Sequence, residues 1–141
     1  TLSLHDALPI LLGDSEANID ILCRMQALGL KIALDDFGTG YSSLSYLVSF
    51  PLDRIKIDRL FVSQLGRSKQ SDLIVRSVTQ LAKNLNCSVV AEGIETAEQI
   101  QRLRGLHVSY GQGFLLGMPL PLDEATKLLA AGKSPAPAQS A

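Results

Sequence analysis

The sequence is poor in the residues that most often carry covalent chemistry. It has two histidines and two cysteines. A serine or cysteine hydrolase needs its nucleophile beside a histidine, and no G-x-S-x-G nucleophile elbow accompanies His5 or His107. His107 reads as a loop residue. Cys23 and Cys87 have no metal-like spacing and fall in apolar stretches, so both are expected to be buried, reduced thiols. Basic charge is not in excess. The net charge is −1 over 141 residues, which disfavours a nucleic acid polymer or an anionic membrane as partner. No apolar run approaches the ~20 residues of a membrane helix, and no basic segment precedes an apolar one at the N-terminus as in a signal peptide. A cytoplasmic location is expected, although a longer parent protein could be membrane-anchored. Gly111 and Gly113 do not continue into G-x-G-x-x-G, so a dinucleotide fingerprint is missing.

What is present is a globular composition, 46% hydrophobic and 19% charged, sized for one domain. Short apolar runs ending in polar residues read as strands: Lys31–Leu34 before Asp35-Asp36, Arg54–Ile57, Ser88–Ala91 before Glu92, and a weak one within 108–114. Helical stripes alternate with them. Ile19, Leu22, Cys23 and Ala27 form one, ended by Gly29. Ile74, Val78, Leu81 and Leu85 form another. Thr96 and Gln99 make a capping box for a helix reaching about Arg104. Leu122, Ala125, Leu128 and Leu129 make the last, between Pro121 and Gly132. A helix followed by four strand–helix units implies an α/β fold with a parallel sheet, either open or part of a (β/α) barrel. Four units are half of the eight in a complete barrel. Residues 1–10 form no convincing element, and residues 132–141, rich in Pro, Ala and Ser, read as a disordered tail.

The acidic residues follow the strands. Asp35, Asp36 and Glu92 come directly after apolar runs, and Lys56 lies near the end of another. In α/β barrels the C-terminal strand ends converge on one rim. Three carboxylates and a lysine gathered there suit hard divalent cations, and two such ions can drive phosphodiester hydrolysis. The same Asp-Asp before Gly38-Thr39-Gly40 also suits an ordinary turn. Chemistry alone leaves both readings open.

The longer strings discriminate. Asp35-Asp36-Phe37-Gly38-Thr39-Gly40-Tyr41-Ser42-Ser43-Leu44 resembles the central signature of EAL domains. Lys56-Ile57-Asp58-Arg59, Ala91-Glu92-Gly93-Ile94-Glu95-Thr96 and Gln112-Gly113-Phe114 resemble the family's later motifs, in order and at about its spacing. The resemblance covers residues 11–131. It implies a TIM-like barrel, here its last four strand–helix units, and hydrolysis of cyclic di-GMP to pGpG with two divalent ions, Mg²⁺ or Mn²⁺. It implies Asp35 and Asp36 as metal ligands. Lys56 would contact the attacking water or the phosphate, Glu92 would orient or deprotonate that water, and Gln112 would sit beside the metal–substrate centre. Glu95 would support the adjoining loop. The loop from Gly38 to Leu44, which includes Thr39 and Gly40, would shape the metal site and contribute to a homodimer. Sensor or GGDEF domains are the expected companions in a parent protein. The family's upstream motifs, its name-giving glutamate and further metal-binding asparagine and glutamate, have no counterpart here. Asp6-Ala7-Leu8 lies too close to Asp35 to be the first of them, and residues 1–10 look foreign to the family. The expectation is a C-terminal half that is inactive alone. The alternative is a non-catalytic module that binds the dinucleotide or a partner protein.

Overall fold

The computed structural model describes residues 2–3, 15–37 and 49–132. The elements run β1 (Leu2–Ser3), α1 (Ser15–Ala27), β2 (Ile32–Phe37), β3 (Arg54–Ile57), α2 (Arg59–Ser63), α3 (Lys69–Asn84), β4 (Ser88–Ala91), α4 (Ala97–Gly105), β5 (Tyr110–Gly111) and α5 (Leu122–Ala130). The strands form one parallel sheet in the order β1-β2-β3-β4-β5. A parallel sheet with strands in chain order and helical crossovers is the expected half-barrel arrangement.

Two strand expectations need correction. The sheet has five strands among the described residues rather than four, because Leu2 and Ser3 pair with Ile32 and Ala33. The free edge of β2 offers backbone donors and acceptors to any extended segment, so pairing there needs no family-like sequence. The weak fourth run contracts to Tyr110–Gly111, since the glycines at 111 and 113 interrupt any apolar alternation.

The core lies between the sheet and its helices. Leu34, Ile55, Ile57, Val89 and Ala91 point from the strands into a cluster with Val62, Val75, Val78, Ala82 and Leu103. Ile55 and Ile57 are fully buried, and burial of each stabilises the fold by about 1.5–3 kcal/mol. Alternation along the strands sends Asp35, Lys56 and Glu92 to the opposite face. On α3 the deepest line is Ser71, Val75, Val78 and Ala82. The expected stripe is therefore turned by one position. Small side chains bring the helix close to the sheet, and the larger Ile74 and Leu81 pack on its flank. On α1, Leu22 is buried with Ile32 and Phe50, flanked by Ile19 and Met25. Cys23 is exposed, against expectation, because the packed face runs through positions 19, 22 and 25, and position 23 is turned about 100° from it. Cys87 is partly buried, its Sγ donating to the Leu52 carbonyl.

Helix ends follow the sequence. Thr96 Oγ1 accepts from the Gln99 amide while Gln99 Oε1 accepts from the Thr96 amide, which completes the capping box. Asp58 caps the unforeseen short helix α2 by accepting from the Leu60 amide at 2.7 Å. Asn86 and His107 take left-handed conformations immediately after the C-caps of α3 and α4. His107 is thus a helix-terminating residue. No described helix is long and apolar enough to cross a membrane.

Candidate active site

The site is built from the C-terminal ends of β2, β3, β4 and β5. Strand pairing sets Lys56 opposite Val90 and Ile57 opposite Ala91, which brings Lys56 alongside the last residues of β4. Glu92 follows at once, its amide donating to the Ile57 carbonyl at 3.0 Å. Lys56 Nζ lies 2.8 Å from both carboxylate oxygens of Asp35 and 2.5 Å from Glu92 Oε1. These three side chains are only 16–23% exposed. Burial pulls the Lys56 pKa down, but hydrogen bonds to Asp35 and Glu92 and the charge of both carboxylates outweigh it and hold it above the ordinary lysine value.

Neighbouring strand residues normally face opposite sides, so Asp35 and Asp36 should diverge. They do not. The β2–β3 register shifts between Leu34 and Phe37, and Asp36 has a left-handed φ of 50°. This irregularity re-aims Asp36. One oxygen from each of Asp35, Asp36 and Glu92 lies within 4.8 Å of the others. Three carboxylates against one ammonium leave an excess of negative charge, and the oxygen-only donor set suits Mg²⁺, Mn²⁺ or Ca²⁺.

Gln112 completes the cluster by donating from Nε2 to Glu92 Oε1 at 3.0 Å. Its placement depends on backbone. The Ile94 amide donates to the Gln112 carbonyl, and the Leu115 amide donates to the Ile94 carbonyl. A Cβ on Gly113 would meet the Ile94 backbone at 2.1 Å, so only glycine permits this contact. Glu95 is exposed and lines a cavity of about 490 Å³ beside Glu92 and Gln112. The loop's support comes from Gln99, whose Oε1 accepts from the Glu95 amide at 2.8 Å. Gly38, Thr39 and Gly40, with the expected dimer segment to Leu44, lie outside the described residues.

Sequence reasoning placed Asp35, Asp36, Lys56, Glu92 and Gln112 together, and the structure brings all five to one rim. It assigned no role to Asp58, Arg59, Phe114 or Met118, which line the same cavity. Asp58, Arg59 and Phe114 lie within the quoted motifs, and Met118 follows the last of them by four residues.

The EAL domain model matches residues 9–119, more than three-quarters of the chain. The chain belongs to the EAL domain family. It is 43% identical over 111 residues to the bifunctional diguanylate cyclase/cyclic di-GMP phosphodiesterase MucR of Pseudomonas aeruginosa, covering 79% of this chain and 16% of MucR. The crystal structure of the EAL domain of Mycobacterium smegmatis DcpA is 43% identical, with a TM-score of 0.80 over 86% of this chain and 55% of that one. Klebsiella pneumoniae BlrP1, solved as a manganese and cyclic di-GMP complex, is 37% identical, with a TM-score of 0.69 over 77% of this chain and 28% of that one. The EAL half-barrel thus spans about one sixth of the curated relatives' length. The EAL neighbours confirm the α/β, TIM-like class of the fold.

Proposed function

We propose that this chain is the metal- and water-handling half of a cyclic di-GMP phosphodiesterase that uses Mg²⁺ or Mn²⁺ and releases pGpG. The observation that carries the reading is the convergence of Asp35, Asp36 and Glu92 within 4.8 Å around Lys56, in a family whose relatives include cyclic di-GMP phosphodiesterases. Asp35 and Asp36 would hold the cations, with the Glu92 carboxylate beside them. When bound, divalent ions supply the charge that activates water and stabilises the leaving oxygen of a phosphodiester.

The chain's own groups divide the remaining work. Glu92 accepts a proton from the attacking water, whose oxygen bonds to phosphorus as one P–O ester bond breaks. Lys56, kept protonated by Asp35 and Glu92, offers its ammonium to a phosphoryl oxygen or to that water. Gln112 fixes the Glu92 carboxylate from the other side. Three carboxylates fall short of the six to eight oxygens that hard cations usually take. Turnover on this reading needs ligands beyond those among the described residues, and groups that act as a unit fail together. A homodimer through residues 38–44, a GGDEF or sensor partner domain and a cytoplasmic setting belong to the same reading.

The test compares this chain with the same chain joined to the upstream half of an EAL domain, following pGpG formation from cyclic di-GMP with each metal. Turnover is expected only in the joined form and should vanish with Asp35→Ala. Equal rates from the chain alone would refute the need for further ligands. Dinucleotide binding by the joined form with no turnover would favour the receptor reading.

A further inference from the structure

Another cavity lies on the helix side of the sheet, away from the cation site. It encloses about 370 Å³ between α3 and α4. Cys87 and Ser109, which line it, directly precede β4 and β5, whereas Glu92 and Gln112 directly follow those strands. The cavity is therefore at the end of the sheet opposite the rim. Its floor is β4 through Val89, and β4 is paired with β3 on one side and β5 on the other.

The α3 wall carries a charge pattern. Arg76, Thr79, Gln80 and Lys83 line the cavity at spacings of three, one and three, so they share one helical face. Arg76 and Lys83 lie two turns apart, about 10 Å along the helix axis, near enough for their long side chains to converge. His107 lines the cavity from the α4 side. No aspartate or glutamate among the described residues lines it. Neither Arg76 nor Lys83 forms an ion pair among those residues, in a chain whose net charge is −1. Lys83 alone would be explained by the partial negative charge at the C-terminus of α3. Arg76 stands in the middle of that helix, where no such charge calls for it. The two formal charges also exceed the roughly half charge that each neighbouring helix end contributes.

We propose that this cavity binds a small phosphomonoester with a flat apolar body, of the size of a nucleoside monophosphate, at a site separate from the cation centre. The volume is at the small end of the range for small-molecule sites. Arg76 and Lys83 take the phosphate, arginine with paired donors and lysine as a point charge. Val89 is buried and Leu106 half-buried, so the inner wall offers apolar contact to a ring. Thr79 commits its hydroxyl hydrogen to the Val75 carbonyl at 2.7 Å, which leaves its oxygen to accept from a ligand hydroxyl. A bare inorganic anion would leave the apolar wall and Thr79 unused.

The test measures binding of adenosine monophosphate to this full chain by equilibrium dialysis in EDTA, which keeps the cation centre empty. Saturable binding is expected, tighter than that of inorganic phosphate or of adenosine. Arg76→Ala with Lys83→Ala, both at exposed positions, should weaken it at least tenfold, whereas Asp35→Asn should leave it unchanged. Binding is judged without turnover, so failure of the catalytic reading would not affect the result. In a Cys23→Ser background the ligand should also slow alkylation of Cys87, read by mass spectrometry, because Cys87 lines the cavity. Absence of saturable binding at millimolar adenosine monophosphate would overturn the proposal. So would undiminished binding by the double variant, loss of binding in Asp35→Asn, or an unprotected Cys87. Tighter binding of tetraglutamate would overturn it too, by assigning the cavity to an acidic peptide.

Discussion

Lys56 holds two of the three carboxylates at the rim, and its loss would leave Asp35 and Glu92 facing each other with no counter-charge. A charge pair this little exposed costs a few kcal/mol to break, because the surviving charge stays desolvated. Lys56→Met is therefore expected to lower unfolding free energy by about 1–3 kcal/mol in urea denaturation at neutral pH. Added Mn²⁺ should recover more stability in the variant than in the parent, since a cation replaces the missing ammonium. The sign of the pH effect follows from the raised pKa. The contribution of Lys56 is full below the ordinary lysine pKa and fades only as pH rises through its folded-state value. Asp35, Lys56 and Glu92 were legible because each sits at the end of an apolar run. Asp36 was legible from its place after the same run and from the family string, but not from strand alternation. Alternation would have sent it to the helix side, and nothing in the sequence announces the left-handed turn that prevents this.

At the scale of elements, the opposite end of the sheet is tied by one residue. Asp53 accepts from Gln26 of α1 at 2.7 Å, from Lys31 at 2.8 Å and from the Ile32 amide of β2 at 3.0 Å. Its carbonyl takes the Ser88 amide and hydroxyl at the start of β4. Burial alone would raise its pKa, but the hydrogen bonds from Lys31, Ile32 and Gln26 lower it from 3.8 to about 2. A depressed carboxylate stabilises the fold above its unfolded pKa and loses that contribution as pH falls through the folded one. The unsubstituted chain should shed on the order of 1 kcal/mol between about pH 4 and pH 2, the exposed Lys31 partner being screened by solvent. Asp53→Asn should start less stable and show a flatter profile over that window, as followed by circular dichroism. Equal slopes would remove Asp53 from the account. Asp53 escaped sequence reasoning because an aspartate before a strand looks like any turn residue. By contrast α4 was legible to within a residue, since a capping box states its own start.

On the scale of the molecule, the half-barrel and the order of its motifs were readable, while the quality of its edges was not. Periodicity assigned Leu122, Ala125, Leu128 and Leu129 to a helix face, and α5 does form. Periodicity says which residues share a face and not what covers it, so the exposure of that face emerged only from the fold. The physical cost of such a face is association. The chain alone should form concentration-dependent oligomers in light scattering and unfold over a broad temperature range. A monomer at high concentration with a sharp, cooperative melt would contradict this.

The backbone bonds between Ile94 and the 112–115 segment make one piece of two loops that are distant in sequence. Because the Ile94 amide donates to the Gln112 carbonyl and Gln99 accepts from the adjacent Glu95 amide, the loops after β4 and β5 are tied to each other and to the start of α4. Gly113 permits their close approach. Gln112 stands on this joined segment with its side-chain amide on Glu92. The Gln112 backbone amide also donates to the Ala91 carbonyl and the Glu92 amide to the Ile57 carbonyl, so the same bonds tie the N-terminus of α4 and both rim side chains to the sheet.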